Sequence, residues 1–75
     1  MYNNNKKQGA LIYNDDLDRI DIRFSIDDYY GGLRCGETMD VFIDGEWIPT
    51  QIEKARDWFL IGIKTDSLPG LIIRI

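Results

Sequence analysis

Between Arg19 and Asp28 the chain alternates without a miss: Ile20, Ile22, Phe24 and Ile26 are apolar, while Asp21, Arg23, Ser25 and Asp27 are polar or charged. A helix needs apolar residues three and four positions apart, whereas successive side chains of a strand point to opposite faces. Isoleucine is also stiff at its first side-chain torsion, which disfavours helix. The segment is therefore a half-buried strand, and a chain of 75 residues that contains it must build a sheet with one face turned from water.

The rest of the chain supplies the other strands and the turns between them. Ala10 to Tyr13 is a short apolar run closed by Asn14-Asp15-Asp16-Leu17-Asp18, whose side chains favour turns by bonding to nearby backbone. This gives a first hairpin. Asp27-Asp28-Tyr29-Tyr30-Gly31-Gly32 breaks the pattern. Paired glycines weaken strands and permit positive φ, so the longest loop is expected here.

Asp44-Gly45, flanked by β-prone residues, is the strongest short-range hairpin signal. It fixes a register in which Ile43 faces Glu46, Phe42 faces Trp47, Val41 faces Ile48 and Met39 faces Thr50. The pleat then places Met39, Val41, Ile43, Ile48 and Ile52 toward a core, and Phe42, Trp47, Pro49 and Gln51 on the opposite side.

Glu53-Lys54-Ala55-Arg56-Asp57 reads as a second tight turn, leading into Trp58-Phe59-Leu60-Ile61-Gly62-Ile63, which is apolar on both faces. A three-residue loop at Lys54 to Arg56 pairs Ile52 with Trp58 and puts Phe59, Ile61 and Ile63 on the side of Phe42 and Trp47. A two-residue loop exchanges the faces. In the first case the outer apolar patch calls for a second copy of the chain or a bound protein. Thr65 to Gly70 is a break with a short 3₁₀ turn, and Leu71 to Ile75 is a last strand expected to pair with the first.

Short strands, tight turns and no helical segment make the chain all-β. The expected architecture is a small five- to six-stranded barrel built from antiparallel hairpins, because closure removes exposed edges. Met1 to Gln8, with three consecutive asparagines, reads as a flexible N-terminal tail, which leaves residues 9–75 as a single β-barrel domain.

Several kinds of chemistry lack the residues they need. Cys35 is the one cysteine and histidine is absent, so there is no intramolecular disulfide, no familiar zinc site and no usual base for a cysteine nucleophile. Cys35 is expected to be a small buried hydrophobe. Asp15, Asp16, Asp18, Asp27 and Asp28 do not follow the spacing of a calcium loop and are explained by turn chemistry. Glu37, Glu46 and Glu53 would need a cleft that a barrel of this size does not offer. The chain is thus expected to be no enzyme, with no catalytic residue, metal site or cofactor.

Nine basic against thirteen acidic residues leave a net charge of −4, which repels a phosphate backbone and disfavours nucleic acid as a partner. No apolar run nears the roughly 18 residues of a membrane span. The polar N-terminus lacks an apolar leader, and no membrane association and a cytoplasmic location are expected.

The order Gly9-x-Leu11, Arg19, Leu33-x-Cys35-Gly36, Val41, Trp47-Ile48-Pro49, Ile52-Glu53, Trp58-Phe59-Leu60 and Gly70-Leu71-x-x-Arg74 resembles a family of small bacterial domains of unknown function. That family is met in Gram-positive bacteria, often among genes of conjugative and other mobile elements. The resemblance spans Gly9 to Ile75 and implies a Src-homology-3-like small barrel. Its motifs are apolar positions, glycines and tryptophans, so it implies a fold and transfers no active site.

The function stays unknown at this stage, and the leading expectation is a non-enzymatic protein-interaction or accessory module, with self-association as one form of it. Phe42 and Trp47, opposite each other on the outer side of the hairpin, are the sharpest candidates, since exposed aromatics are enriched where partners dock. Phe59 joins them in the three-residue-loop register. Tyr29 and Tyr30 are candidates to wall a groove for an extended or proline-rich peptide. The alternative is a single-stranded nucleic-acid-binding small barrel, with Arg19, Arg23, Arg34, Arg56 and Arg74 as its basic residues.

Overall fold

The alternating segment forms strand β2 (Arg19–Ser25), paired antiparallel with β1 (Gln8–Asn14) in the computed structural model, which describes residues 6–75. Asn14 opens the intervening turn by accepting the Leu17 N–H on its side-chain oxygen. The strand ends two residues sooner than the alternation, and Ile26 lies in the next turn at 75% exposure. There the chain reverses into β3 (Asp28–Tyr29), a two-residue strand set against β2 across a bulge. A loop from Tyr30 to Glu37 follows it, but the longest connection is not here as expected: part of the break forms β3, and residues 61–71 make the longer loop.

The Asp44-Gly45 hairpin joins β4 (Thr38–Ile43) to β5 (Glu46–Lys54) with the expected register, Phe42 opposite Trp47 and Met39 opposite Thr50. Both turn residues have positive φ, 50° and 82°, as a type I′ turn requires and as the twist of the flanking strands favours.

Strand β6 (Trp58–Leu60) returns along β5 after a three-residue loop. The loop is Ala55 to Asp57, so Ile52 faces Leu60 rather than Trp58, a slip of two residues from the expected pairing. An even slip preserves side-chain parity, which is why Phe59 and Ile61 still point outward as expected. Ile63 does not follow them, because β6 ends at Leu60 and the chain turns Ile63 against the core.

Residues 61–71 contain turns and bends with no 3₁₀ helix, and β7 (Ile72–Arg74) closes the chain. It pairs with β1 as expected and also with β4, so it joins the two hairpins.

The sheet has seven strands in the order β3-β2-β1-β7-β4-β5-β6. The expected five- to six-stranded barrel is corrected on two counts: there are seven strands, and no ladder among the described residues joins β3 to β6. Residues 1–5 of the expected tail lie outside the described residues. Gln8 opens β1, and Lys7 exchanges backbone hydrogen bonds with Ile75. The described residues form no helix, hence none long and apolar enough to cross a membrane.

One face of this sheet carries the core: Leu11, Ile20, Ile22, Met39, Val41, Ile52, Leu60 and Ile73. Two loops complete it with a leucine each. Leu33 comes from the segment after β3, held by its N–H to the Ile20 carbonyl, and Leu68 from the segment before β7. At Gly9 the strands approach so closely that a Cβ would lie 2.7 Å from the Arg23 carbonyl oxygen.

Candidate functional site

On the opposite, outer face the pairings align side chains from strand to strand. Phe42 stands opposite Trp47, Ala10 opposite both Ile72 and Arg23, and Arg23 opposite Tyr29. Continuing the β4–β7 register one residue beyond Val41 and Ile73 sets Ile72 beside Phe42. A single row, Tyr29, Arg23, Ala10, Ile72, Phe42, Trp47, thus crosses six strands. At about 4.8 Å per strand it extends for roughly 24 Å. Phe42 is 42% exposed and Ile72 37%.

The Phe42 and Trp47 rings lie 4.9 Å apart at a tilt of 54°, the offset arrangement that aromatic quadrupoles favour. The Arg74 guanidinium covers the Trp47 ring at 4.4 Å, a cation held over the negative face of the indole. Trp47 is consequently half-buried although nothing from the core reaches it. Arg74 Nε also donates to Asp40 Oδ2 at 2.9 Å, and Lys6 Nζ donates to the same oxygen at 2.9 Å. The hydrogen bonds from Lys6 and then Arg74 hold the Asp40 carboxyl below the usual carboxylate range, against the opposing effect of burial.

The five sequence-derived candidates do not form one cluster. Phe42 and Trp47 are brought together, and Tyr29 lies at the far end of their row. Phe59 shares the outer face, but it sits opposite Glu53, six residues beyond Trp47 along β5, or about 20 Å at roughly 3.3 Å per residue. Tyr30 belongs to a shallow depression lined also by Gly31, Arg34, Cys35 and Glu37. There its hydroxyl donates to Glu37, and this bond raises the Tyr30 pKa. Cys35 is exposed in the same loop rather than buried as expected, since the inward position of that loop is taken by Leu33.

A model of DUF5348, a domain of unknown function, matches residues 9–75. The chain belongs to this family. The match agrees with the resemblance carried by the glycines, tryptophans and apolar positions from Gly9 onward. A crystal structure of a protein from Ruminococcus gnavus is 43% identical to this DUF5348 chain and superimposes with a TM-score of 0.87, covering 91% of this chain and 99% of that one. No curated protein matches.

Three residues of the DUF5348 outer face escaped the sequence reading of the site: Asp40, Ile72 and the stacking role of Arg74. Each depends on β7 lying beside β4, and that adjacency has no local signal. The pattern Ile72-Ile73-Arg74 does alternate around a buried Ile73, so the outward direction of Ile72 and Arg74 is recoverable once the strand is placed. Among the described residues no group of three or more His, Cys, Asp or Glu side chains converges as a metal site.

Proposed function

We propose that this DUF5348 chain is a non-enzymatic, cytoplasmic protein-interaction module whose outer face, centred on Phe42 and Trp47, binds another protein. The observation that carries the reading is the Phe42–Trp47 pair itself, stacked at 4.9 Å on the face away from the core and 42% exposed at Phe42. Aromatic pairs of this kind offer large contact area with few torsions to freeze, and they dominate the energetics of docking surfaces.

The polar groups support a module rather than a catalyst, because the buried Asp21, Asp40 and Thr50 and the half-buried Glu37 are already engaged. Asp21 and Asp40 accept several hydrogen bonds each, Glu37 accepts from Tyr30 and from the Arg34 N–H, and Thr50 donates to the Ile61 carbonyl. Nucleic acid is the weaker reading. The net charge of −4 repels a phosphate backbone, and Arg19 is turned to the Leu33 carbonyl.

The test is affinity capture from cells that encode the chain, using wild type, Phe42→Ser and Trp47→Ala as bait, with thermal unfolding of each. The expected outcome is a protein retained by wild type and lost by both variants while both stay folded. Retention by both variants would overturn the reading, as would unfolding of both.

A further inference from the structure

We propose that the partner presents an acidic, apolar-containing segment that lies across the strands of the outer face between Arg23 and Arg74. This rests on the interaction reading above and names the chemistry of the partner.

The inference starts from charge. The chain carries −4 overall, yet the outer face has a local excess of cations. Around the row Arg23, Arg74 and Lys6 project, and the carboxylates of that face are engaged, Glu53 at its far end beside Phe59 with the Gln51 side-chain amide. Asp40 takes hydrogen bonds from both Lys6 and Arg74, and Asp21 is 1% exposed beneath the Gly31 and Gly32 N–H groups. Arg23 and Arg74 each use only Nε within the described residues. A guanidinium offers five donors in a planar fork suited to a carboxylate, so the terminal nitrogens of both are left for a ligand.

Geometry gives the spacing. Arg23 and Arg74 lie two strands apart and one pleat repeat apart along the strands, which places their backbones about 12 Å from each other. An extended segment with carboxylates about four residues apart spans that distance. Its intervening apolar side chains would meet Ala10 and Ile72, and an apolar residue just beyond the Arg74 end would meet Phe42, one strand further on.

Strand addition at the β5–β6 edge of the sheet is the competing mode, and β5 opposes it. Ile52 exchanges backbone bonds with Gly36 and Glu37 on the β4 side, while the Gln51 carbonyl accepts the Ile61 N–H on the other side. Odd-numbered residues of β5 therefore face its outer edge. Beyond the reach of β6 the first position facing that edge is Pro49, which has no N–H to give and interrupts a ladder. A second copy as occupant would bring like net charges together.

The experiment is to pan random decapeptides displayed on phage against the full chain, with Phe42→Ser as counter-selection and circular dichroism confirming that the variant is folded. The expected peptides bind wild type only and are enriched in Asp or Glu three or four residues apart around apolar residues. As synthetic peptides they should lose about tenfold in affinity on Arg23→Ala. They should also weaken as sodium chloride rises from about 0.05 to about 0.5 M. Phe42-dependent peptides without acidic enrichment, or indifferent to Arg23→Ala, would overturn the acidic-segment inference and leave the interaction reading standing. If no Phe42-dependent peptide emerges, both fall. Salt-sensitive binding of oligothymidine in place of peptides, or a dimeric mass in solution that Phe42→Ser reduces to a monomer, would likewise replace the acidic segment with another occupant.

Discussion

Asp21 occupies a position of β2 that alternation assigns to solvent, yet it is 1% exposed. Its Oδ1 accepts the N–H groups of Ile22, Gly31 and Gly32 at 2.7–2.9 Å, and its Oδ2 accepts the Asn14 side-chain amide. Burial pushes its carboxyl up, but the bonds from Gly32, Ile22, Asn14 and Gly31 outweigh that and hold it below the ordinary value. A periodicity rule sees only whether a residue is polar, so it could not tell a carboxylate facing water from one facing main-chain donors. The two glycines were legible as a break, but not as the groups that wrap Asp21. Asp21→Ala strands several buried donors and should cost about 3 kcal/mol in urea unfolding, while Asp21→Asn keeps an acceptor oxygen and should cost about half as much. Because the folded carboxyl titrates below its unfolded counterpart, its stabilisation is fully present above about pH 4 and is lost as pH falls through the folded value. The wild type should therefore lose stability to acid, and Asp21→Asn should lose less, the remainder reflecting Asp40, which is shifted in the same direction.

At the level of elements, what could be read depended on whether the signal was local. The β4–β5 hairpin was legible in full because Asp44-Gly45 specifies turn type, and turn type specifies register. The β5–β6 connection was legible only in parity, since the charged residues around it do not mark which three form the loop. Strand β3 was not legible, because two residues carry no periodicity and its pairing is fixed from outside by β2 and by the Asp21 contacts. Two glycines distinguish local from tertiary constraint. Gly45 has φ of 82° with open space around it, so Gly45→Ala should cost only the left-handed penalty, about 1 kcal/mol. Gly9→Ala meets backbone and should cost more, although Gly9 is not in a positive-φ conformation. Urea midpoints of the two variants side by side check the order, and equal or reversed costs would count against the close β1–β2 approach.

For the whole molecule, the arrangement separates two apolar populations by the direction of alternate side chains. One forms the core with Leu33 and Leu68 as its plugs. The other, Phe42, Ile72 and Trp47 under Arg74, contributes to a surface. Residue parity made the inward side chains of β2, β4 and β5 and the Phe42–Trp47 pair readable, but not Leu33 and Leu68, which come from loops. It could not show that β7 lies between β1 and β4 and so carries Ile72 and Arg74 to that pair, because such adjacency is settled by how two hairpins share one core. The most direct test compares adjacent residues that point in opposite directions, by urea unfolding of Val41→Ala and Phe42→Ser. Val41 is fully buried and its truncation should cost about 2 kcal/mol, whereas Phe42→Ser, removing the larger side chain, should cost less than about 1 kcal/mol. A larger loss from Phe42→Ser than from Val41→Ala would contradict the division into a core and an outer face open to a partner.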